Sequence, residues 1–349
     1  MKKIGIVGAG NIAKAHARAL STIKGAELSG VYDLHESVAQ GFIKQYGGRV
    51  YSSIGTLADA SDGLIIASPN FCHRDHALQS LRAGQPILCE KPMAVSLKEA
   101  KEMVETAKQF QVQASMGFNY RYLSFVNILK NLIATGELGR ILTVRTHFKK
   151  NSALRRKTFS WRDSGESLRT SGALGDLGIH LIDMLWYLFG SEMKKESLNT
   201  KMLTHVKEKE EKKVQVDDHT EIFGQMENQV FFHLVTSKST QPEECGFSVE
   251  VVGHDKVFKY HTNMKNEYEI SDGLCVERHQ MPQTLLTDPP NEFYGWSDTF
   301  RDQLMHWVNT DPYPSHMKVA DFEDGYRAQA ALNTCFEREE AVVSAAQAY

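Results

Sequence analysis

Lys3 to Leu20 reads KIGIVGAGNIAKAHARAL, and its reading decides the fold. Lys3–Val7 is a short apolar strand pattern, the turn Gly8-Ala9-Gly10-Asn11-Ile12-Ala13 follows at once, and an alanine-rich helix is predicted over Ala13–Leu20. This is G-x-G-x-x-A in the setting that gives it meaning, with a strand before and a helix after. Gly8 permits the tight turn, Gly10 lets the backbone approach a pyrophosphate, and Ala13 lets helix and strand pack closely. The first N–H groups of the helix are free to meet the phosphates. A second strand, Ala26–Tyr32, ends at Asp33, where an acid accepts the ribose hydroxyls of NAD. Leu34 and His35 follow, with no arginine to welcome a 2′-phosphate, so NAD is favoured over NADP.

The alternation continues. Gly63–Ser68 is a third apolar strand, stopped by Pro69-Asn70 and followed by a helix over His73–Ala83. Gln85–Cys89 is a fourth, ending in Glu90-Lys91-Pro92 before a helix over Ser96–Phe110, and Gln113–Gly117 is a fifth, ending at Phe118-Asn119-Tyr120-Arg121. Strands alternating with helices imply a doubly wound parallel sheet, in which ligands lie beyond the carboxyl ends of the strands. Asn70, His73, Glu90, Lys91, Asn119 and Arg121 all fall at or just after such ends. Each alone reads as a solvated loop residue; their joint placement on one edge points to a site. Lys91 follows a buried strand and precedes a stiffening proline. A lysine in a partly dry cleft can take part in proton transfer; the plainer alternative is a loop lysine paired with Glu90.

A second informative stretch is Gly172–Gly190, GALGDLGIHLIDMLWYLFG, apolar almost all round. Within it Asp176, His180 and Asp183 stand at i, i+4 and i+7. At about 100° per residue they share an arc of roughly 60°, a polar stripe that should face a polar cleft. The competing reading is a core histidine held by two carboxylates.

Composition bounds the rest. The 349 residues suffice for two domains, expected over 1–121 and 122–349. A 42% hydrophobic and 24% charged content is that of a globular protein, and a net charge of −3 offers no footprint for nucleic acid or anionic membrane. No signal peptide or membrane span is read. Five scattered cysteines (Cys72, Cys89, Cys245, Cys275, Cys335) fit reduced thiols in a cytoplasmic protein and give no metal-ligand spacing.

GAGNIA (8–13), ASPNFCH (67–73), CEKP (89–92), FNYRY (118–122), SWR (160–162) and GALGDLGIHLID (172–183) occur in the order of one family, with ADFEDGYRAQAALNTCFE (320–337) as its closing helix. Together they resemble the glucose–fructose oxidoreductase / myo-inositol dehydrogenase / MocA family of nicotinamide-dependent oxidoreductases. The resemblance implies that Lys91 contacts the reacting hydroxyl and the nicotinamide ribose, that His180 is the general acid/base, and that Asp176 binds substrate or orients the proton path. Asp183, a turn deeper, would support the histidine. NAD would be held by Gly8, Ala9, Gly10, Asn11, Ile12, Asp33, Ser68, Pro69, Asn70, His73, Glu90, Lys91 and Asn119, with Trp161 and Arg162 near the nicotinamide and Arg121 on the substrate. Ser171, where many relatives carry glycine, and His254-Asp255, in place of a glycine-rich turn, depart from the pattern without being expected to touch the chemistry.

From Tyr122 the pattern changes. A helix over Phe125–Thr135 leads into a strand over Ile141–Phe148, and strand-like runs near 214–224, 228–236, 246–252 and 256–262 are too close for crossover helices. They read as an antiparallel meander within an α+β domain built on a large open sheet. Relatives imply that such a sheet roofs the substrate and joins a homodimer or homotetramer. Lys149-Lys150 and Arg155-Arg156-Lys157 read as a solvated loop or as a clamp for an anionic substrate, and Lys207–Lys213 as a solvated hairpin connection. The expected function is NAD-dependent oxidation of a secondary hydroxyl of a sugar or polyol. The alternatives are a catalytically silent NAD-binding regulator, or an oxidoreductase of a linear tetrapyrrole or aromatic diol. Lys91, Asp176 and His180 together favour the sugar enzyme.

Overall fold

Alternation of strand and helix from Lys2 to Met116 builds one parallel sheet in the computed structural model, which describes residues 1–290, 292–308 and 318–347. The strands are β1 (Lys2–Val7), β2 (Ala26–Tyr32), β3 (Arg49–Val50), β4 (Gly63–Ile66), β5 (Ile87–Cys89) and β6 (Ala114–Met116), in spatial order β3-β2-β1-β4-β5-β6. The helices α1 (Asn11–Leu20), α2 (Glu36–Tyr46), α3 (Ile54–Asp59), α4 (His73–Arg82) and α5 (Leu97–Phe110) join them. The interior strand β4 is buried at every residue, as a strand covered on both faces must be. The two-residue β3 was not readable from sequence, because Arg49-Val50 is too short to show a period. The strands at 63–68, 85–89 and 113–117 are shorter than read: the first stops at Ile66, the second begins only at Ile87, and the third loses one residue at each end. Ser96 caps α5 by accepting from Glu99 N, and the Glu99 side chain reaches back to Val95 N at 3.3 Å. That fixes one end of the segment carrying Lys91.

The chain divides into two compact units, Met1–Tyr122 with Ser297–Gln329, and Leu123–Trp296 with the chain from Ala330. The second is built on α6 (Ser124–Ala134), β7 (Ile141–Lys149), the single turn α7 (Ser152–Arg155) and α8 (Ile179–Phe189). Then come β8 (Asn199–Leu203), a hairpin of β9 (Glu208–Lys209) and β10 (Lys212–Lys213), β11 (His219–Gln225) and β12 (Phe231–Ser237). β13 (Gly246–Gly253), β14 (Val257–His261), β15 (Glu267–Ser271) and β16 (Val276–Gln280) complete the sheet. The helices α9 (Trp296–Val308) and α10 (Phe322–Gln347) close the chain.

The eight strands lie in the order β16-β15-β14-β13-β7-β12-β11-β8. Of the meander expected over the strands now seen as β11 to β14, the antiparallel pairs β11–β12 and β13–β14 form, but β7 is inserted between β12 and β13, antiparallel to β13 and parallel to β12, and β15 and β16 extend the sheet beyond what was expected. Strand spacing shows only which connections are short, so it could not reveal that an earlier strand fills the gap. Alternate residues of β13 are buried, and Phe125 of α6 stacks on Tyr260 at 4.1 Å between ring centroids and lies 5.6 Å from Phe247. Burying one such ring contributes about 1.5–3 kcal/mol. The opposite face leaves Leu203, Phe223 and Phe231 exposed, all on one side by register.

Candidate active site

In the first unit, Gly8 has φ +96°, and a Cβ there would lie 2.8 Å from Ser68 N, so only glycine lets the turn pass so close to the end of β4. A Cβ on Gly10 would meet nothing within 4 Å, leaving the backbone open to a phosphate at the start of α1. Asn11 and Ile12 form the first turn of that helix. Asp33 Oδ2 accepts from Ala9 N at 2.8 Å and Oδ1 from His35 N at 2.9 Å. A carboxylate has about four acceptor positions, so two stay available for a ribose diol. The open turn, the helix start and the aimed acid fit a dinucleotide.

The other edge residues are more tightly packed than solvated loops would be. Ser68 Oγ meets His76 Nδ1 at 2.9 Å, and Pro69 leads into a 3₁₀ turn that buries Asn70. His73 is buried between two carbonyls, with Nε2 2.9 Å from Ser68 O and Nδ1 2.8 Å from Pro92 O. Burial pushes its pKa down against the pull of those carbonyls. His73 thus ties the loops after β4 and β5 together. The Glu90 carboxylate accepts from Lys91 N at 3.2 Å and meets His16 Nε2 at 2.7 Å, with both side chains buried. His16 was missed in sequence; its signal is a lone imidazole in an alanine-rich helix.

Asn119 and Arg121 each find a buried partner. Asn119 donates to Thr299 Oγ1 at 2.7 Å, and Arg121 donates to Asp324 Oδ2 at 3.0 Å, both buried. Burial drives the Asp324 pKa up, but Arg121, together with Arg327 and Lys318, more than offsets this and holds it below the ordinary carboxylate value. A guanidinium paired with a buried carboxylate helps to hold the fold together, so Arg121 and Asn119 each make a structural contact beside the roles expected of them.

In the second unit, a single α-helical phase from Asp176 to Asp183 does not hold. Leu174–Gly178 winds as a π-helix and only then does α8 begin. The reason lies in Asp217, whose carbonyl accepts from Ala173 N (2.9 Å) and whose carboxylate accepts from Leu174 N (2.8 Å) and Thr220 Oγ1 (2.7 Å). A Cβ at Gly172 would overlap the Asp217 carboxylate, so glycine is required for this approach. π turns recur at functional sites. Here the wider turn leaves Asp176 half-buried while His180 and Asp183 are buried.

Asp176 Oδ2 lies 2.8 Å from Nζ of Lys238, which also donates to Ser171 O at 2.7 Å. Lys238 is buried, and that burial lowers its pKa while Asp176 opposes the shift. Ser171 thus meets Lys238 through its carbonyl, and its hydroxyl donates to Arg162 O at 3.0 Å. His254 Nδ1 meets Asp255 Oδ1 at 2.7 Å in an exposed turn, and the backbone N–H groups of the two donate to Arg140 O (2.9 Å) and Leu138 O (3.1 Å). Arg162 stacks on Trp161 (4.3 Å to the ring centroid). It is exposed and makes no ion pair among the described residues.

Asp163 organises the loop below. Its Oδ1 accepts from Arg156 (2.6 Å) and Lys209 (2.9 Å), and its Oδ2 from Ser160 N (2.9 Å) and Oγ (3.1 Å). The hairpin expected over Lys207–Lys213 is present, but Lys209 is buried on Asp163 rather than solvated. Of the basic run, Lys150 pairs with Glu292 (2.9 Å), Lys149 with Glu244 (3.7 Å) and Arg156 with Asp163. Arg155 and Lys157 stay exposed, so a clamp made of the whole run is not formed. Among the described residues no group of three or more His, Cys, Asp or Glu is placed to hold a metal, and no helix is long and apolar enough to cross a membrane.

Residues 2–118 match the oxidoreductase family's NAD-binding Rossmann fold, and residues 130–341 match the same family's C-terminal alpha/beta domain. Glucose-6-phosphate 3-dehydrogenase of Bacillus subtilis is 58% identical over 339 residues, covering 97% of each chain. Inositol 2-dehydrogenase 2 of Saccharopolyspora erythraea is 26% identical, covering 95% of this chain and 91% of its own. The fold is shared with a levoglucosan dehydrogenase solved with NADH and levoglucosan, at a TM-score of 0.85 and 22% identity over 97% of both chains. The class defined is that of NAD-binding oxidoreductases with an α/β second domain. The chain belongs to the Gfo/Idh/MocA oxidoreductase family.

Proposed function

We propose that the protein is an NAD-dependent dehydrogenase that oxidises the C3 hydroxyl of glucose 6-phosphate to a ketone. The observation that carries this is the end-to-end 58% identity to a glucose-6-phosphate 3-dehydrogenase. Retention of Lys91, Asp176 and His180 favours a working enzyme over a silent regulator of the same fold. The Gly8–Ile12 turn and Asp33 would hold the dinucleotide. Asp33 carries a negative charge where NADP would place a phosphate, which supports NAD. When bound, the oxidised nicotinamide accepts the hydride released from the carbinol carbon. His180 takes the hydroxyl proton as general base. The Lys91 ammonium stabilises the charge developing on that oxygen. Asp176 accepts a hydrogen bond from the sugar or from the path by which the proton leaves.

Arg162 suits the phosphate of the substrate, since its planar guanidinium, within the influence of Asp176 and Asp163 but in no ion pair among the described residues, can donate in parallel to two phosphate oxygens. The test is NAD⁺ reduction with glucose 6-phosphate, glucose and inositol, repeated with NADP⁺, and with the oxidised position read by NMR of the product. Arg162→Ala is expected to raise KM for glucose 6-phosphate by about tenfold or more, with the weaker turnover of glucose unchanged. A shift in the NADH Kd instead would return Arg162 to the cofactor. No NAD⁺ reduction with any phosphorylated hexose would remove the substrate reading. A homodimer or homotetramer is proposed as the state in solution, supported by the exposed Leu203, Phe223 and Phe231 on one sheet face. Sedimentation equilibrium measures it, and a Phe223→Lys, Phe231→Lys double variant is expected to sediment as a smaller species.

A further inference from the structure

Lys238 is the residue that neither motif nor composition marks. It follows β12 directly, and its backbone is pinned on both sides: its N–H donates to Asp218 O at 2.7 Å and its carbonyl accepts from Ala153 N at 2.7 Å. The side chain has little freedom at its root. Its ammonium is buried, donates to Ser171 O at 2.7 Å and stands 2.8 Å from Asp176 Oδ2. A buried lysine is costly unless it is paired and hydrogen-bonded, so this placement needs a return. The charged groups acting on it are Asp176 and Asp217, which favour its charged form, and Arg162, which opposes it. Asp217 is committed to Leu174 N and Thr220 Oγ1 and so shapes the π turn, which leaves Asp176 as the carboxylate with which Lys238 makes its ion pair.

We infer that Lys238 is a positioning residue for the dehydrogenase reaction: it holds the Asp176 carboxylate ionised and aimed from the π turn that precedes His180. The inference rests on the reading that Asp176 serves the reaction. Two physical consequences follow. An ammonium at hydrogen-bond distance favours the charged form of a carboxylate, and Arg162 acts on Asp176 in the same sense from farther away, so Lys238 is the nearer of the two cations that keep Asp176 an acceptor. The second donor contact, to Ser171 O, fixes the ammonium from the opposite direction, so Asp176 cannot draw Lys238 out with it as it moves.

The experiment compares Lys238→Met, Lys238→Gln and Lys238→Arg with Asp176→Asn in the purified full chain, reading kcat, KM, NADH binding and the pH profile of kcat/KM. Lys238→Gln keeps an amide donor for Ser171 O but removes the charge, so it separates the electrostatic role from a structural one even where Lys238→Met fails to fold. The expected result is a fall in kcat of about 10- to 100-fold in Lys238→Gln, a movement of the acid limb of the profile upward by roughly one pH unit, unchanged NADH binding, and partial rescue in Lys238→Arg. Wild-type kcat and an unmoved acid limb in Lys238→Gln, with Asp176→Asn impaired, overturn the inference alone. Full activity in Asp176→Asn overturns the role of Asp176 itself, and the inference falls with it.

Discussion

On the proposed mechanism, His180→Ala is expected to lower kcat by about 10²- to 10⁴-fold while NADH still binds, because a positioned general base contributes that much and the proposed dinucleotide cradle lies on other elements. Lys91→Met is expected to act in the same direction through the lost charge on the developing oxyanion. The double variant should lose less than the product of the two, since groups acting on one proton transfer are not additive. Stopped-flow turnover and NADH fluorescence check both halves of the statement. Turnover surviving in both single variants would show that the chemistry is carried elsewhere.

Asp163→Asn destabilises the protein by about 3–5 kcal/mol at neutral pH, because it strips the counter-charge from a lysine that is itself buried. Asp163 takes four donors at once, so the amide cannot replace it. Urea unfolding measures the loss, and Lys209→Met in the same chain is expected to recover part of it. The pH dependence has a definite sign. Burial would raise the Asp163 pKa, but Lys209 and Arg156 outweigh it and hold the folded value below the ordinary one. Its contribution is therefore present above the unfolded value and disappears as pH falls through the lower folded value, below about pH 4. The variant should show less acid sensitivity in that range than the parent.

The first sheet was legible because strands buried on both faces and the glycine turn carry their signals within a few residues of one another. β3 was hidden by its length. The place of β7 was hidden because pairing between strands distant in sequence leaves no local trace. Among the candidate site residues, Asp33, Lys91 and His180 could be singled out by their position after a strand or on a buried helix. His16, Lys209, Asp217 and Lys238 could not, because each acts through a partner far along the chain: Glu90, Asp163, Leu174 and Asp176. Arg121 and Asn119 sit at the right edge, yet their partners Asp324 and Thr299 come from late in the chain and turn them inward. The spacing of Asp176 and His180 suggested a uniform helix, whereas the Asp217 contacts impose a wider turn.

The position of β7 also governs the order in which the second sheet can be completed. Ile141–Lys149 leaves the ribosome well before Phe231–Ser237 and Gly246–Gly253, the two strands that flank it. Until they arrive, a nine-residue strand carries two bare edges, and the loop that must close to cover either one spans most of a domain. Nascent chains halted before residue 231 should accordingly depend on chaperones, and the long-range pairings make this half of the molecule the slower to form.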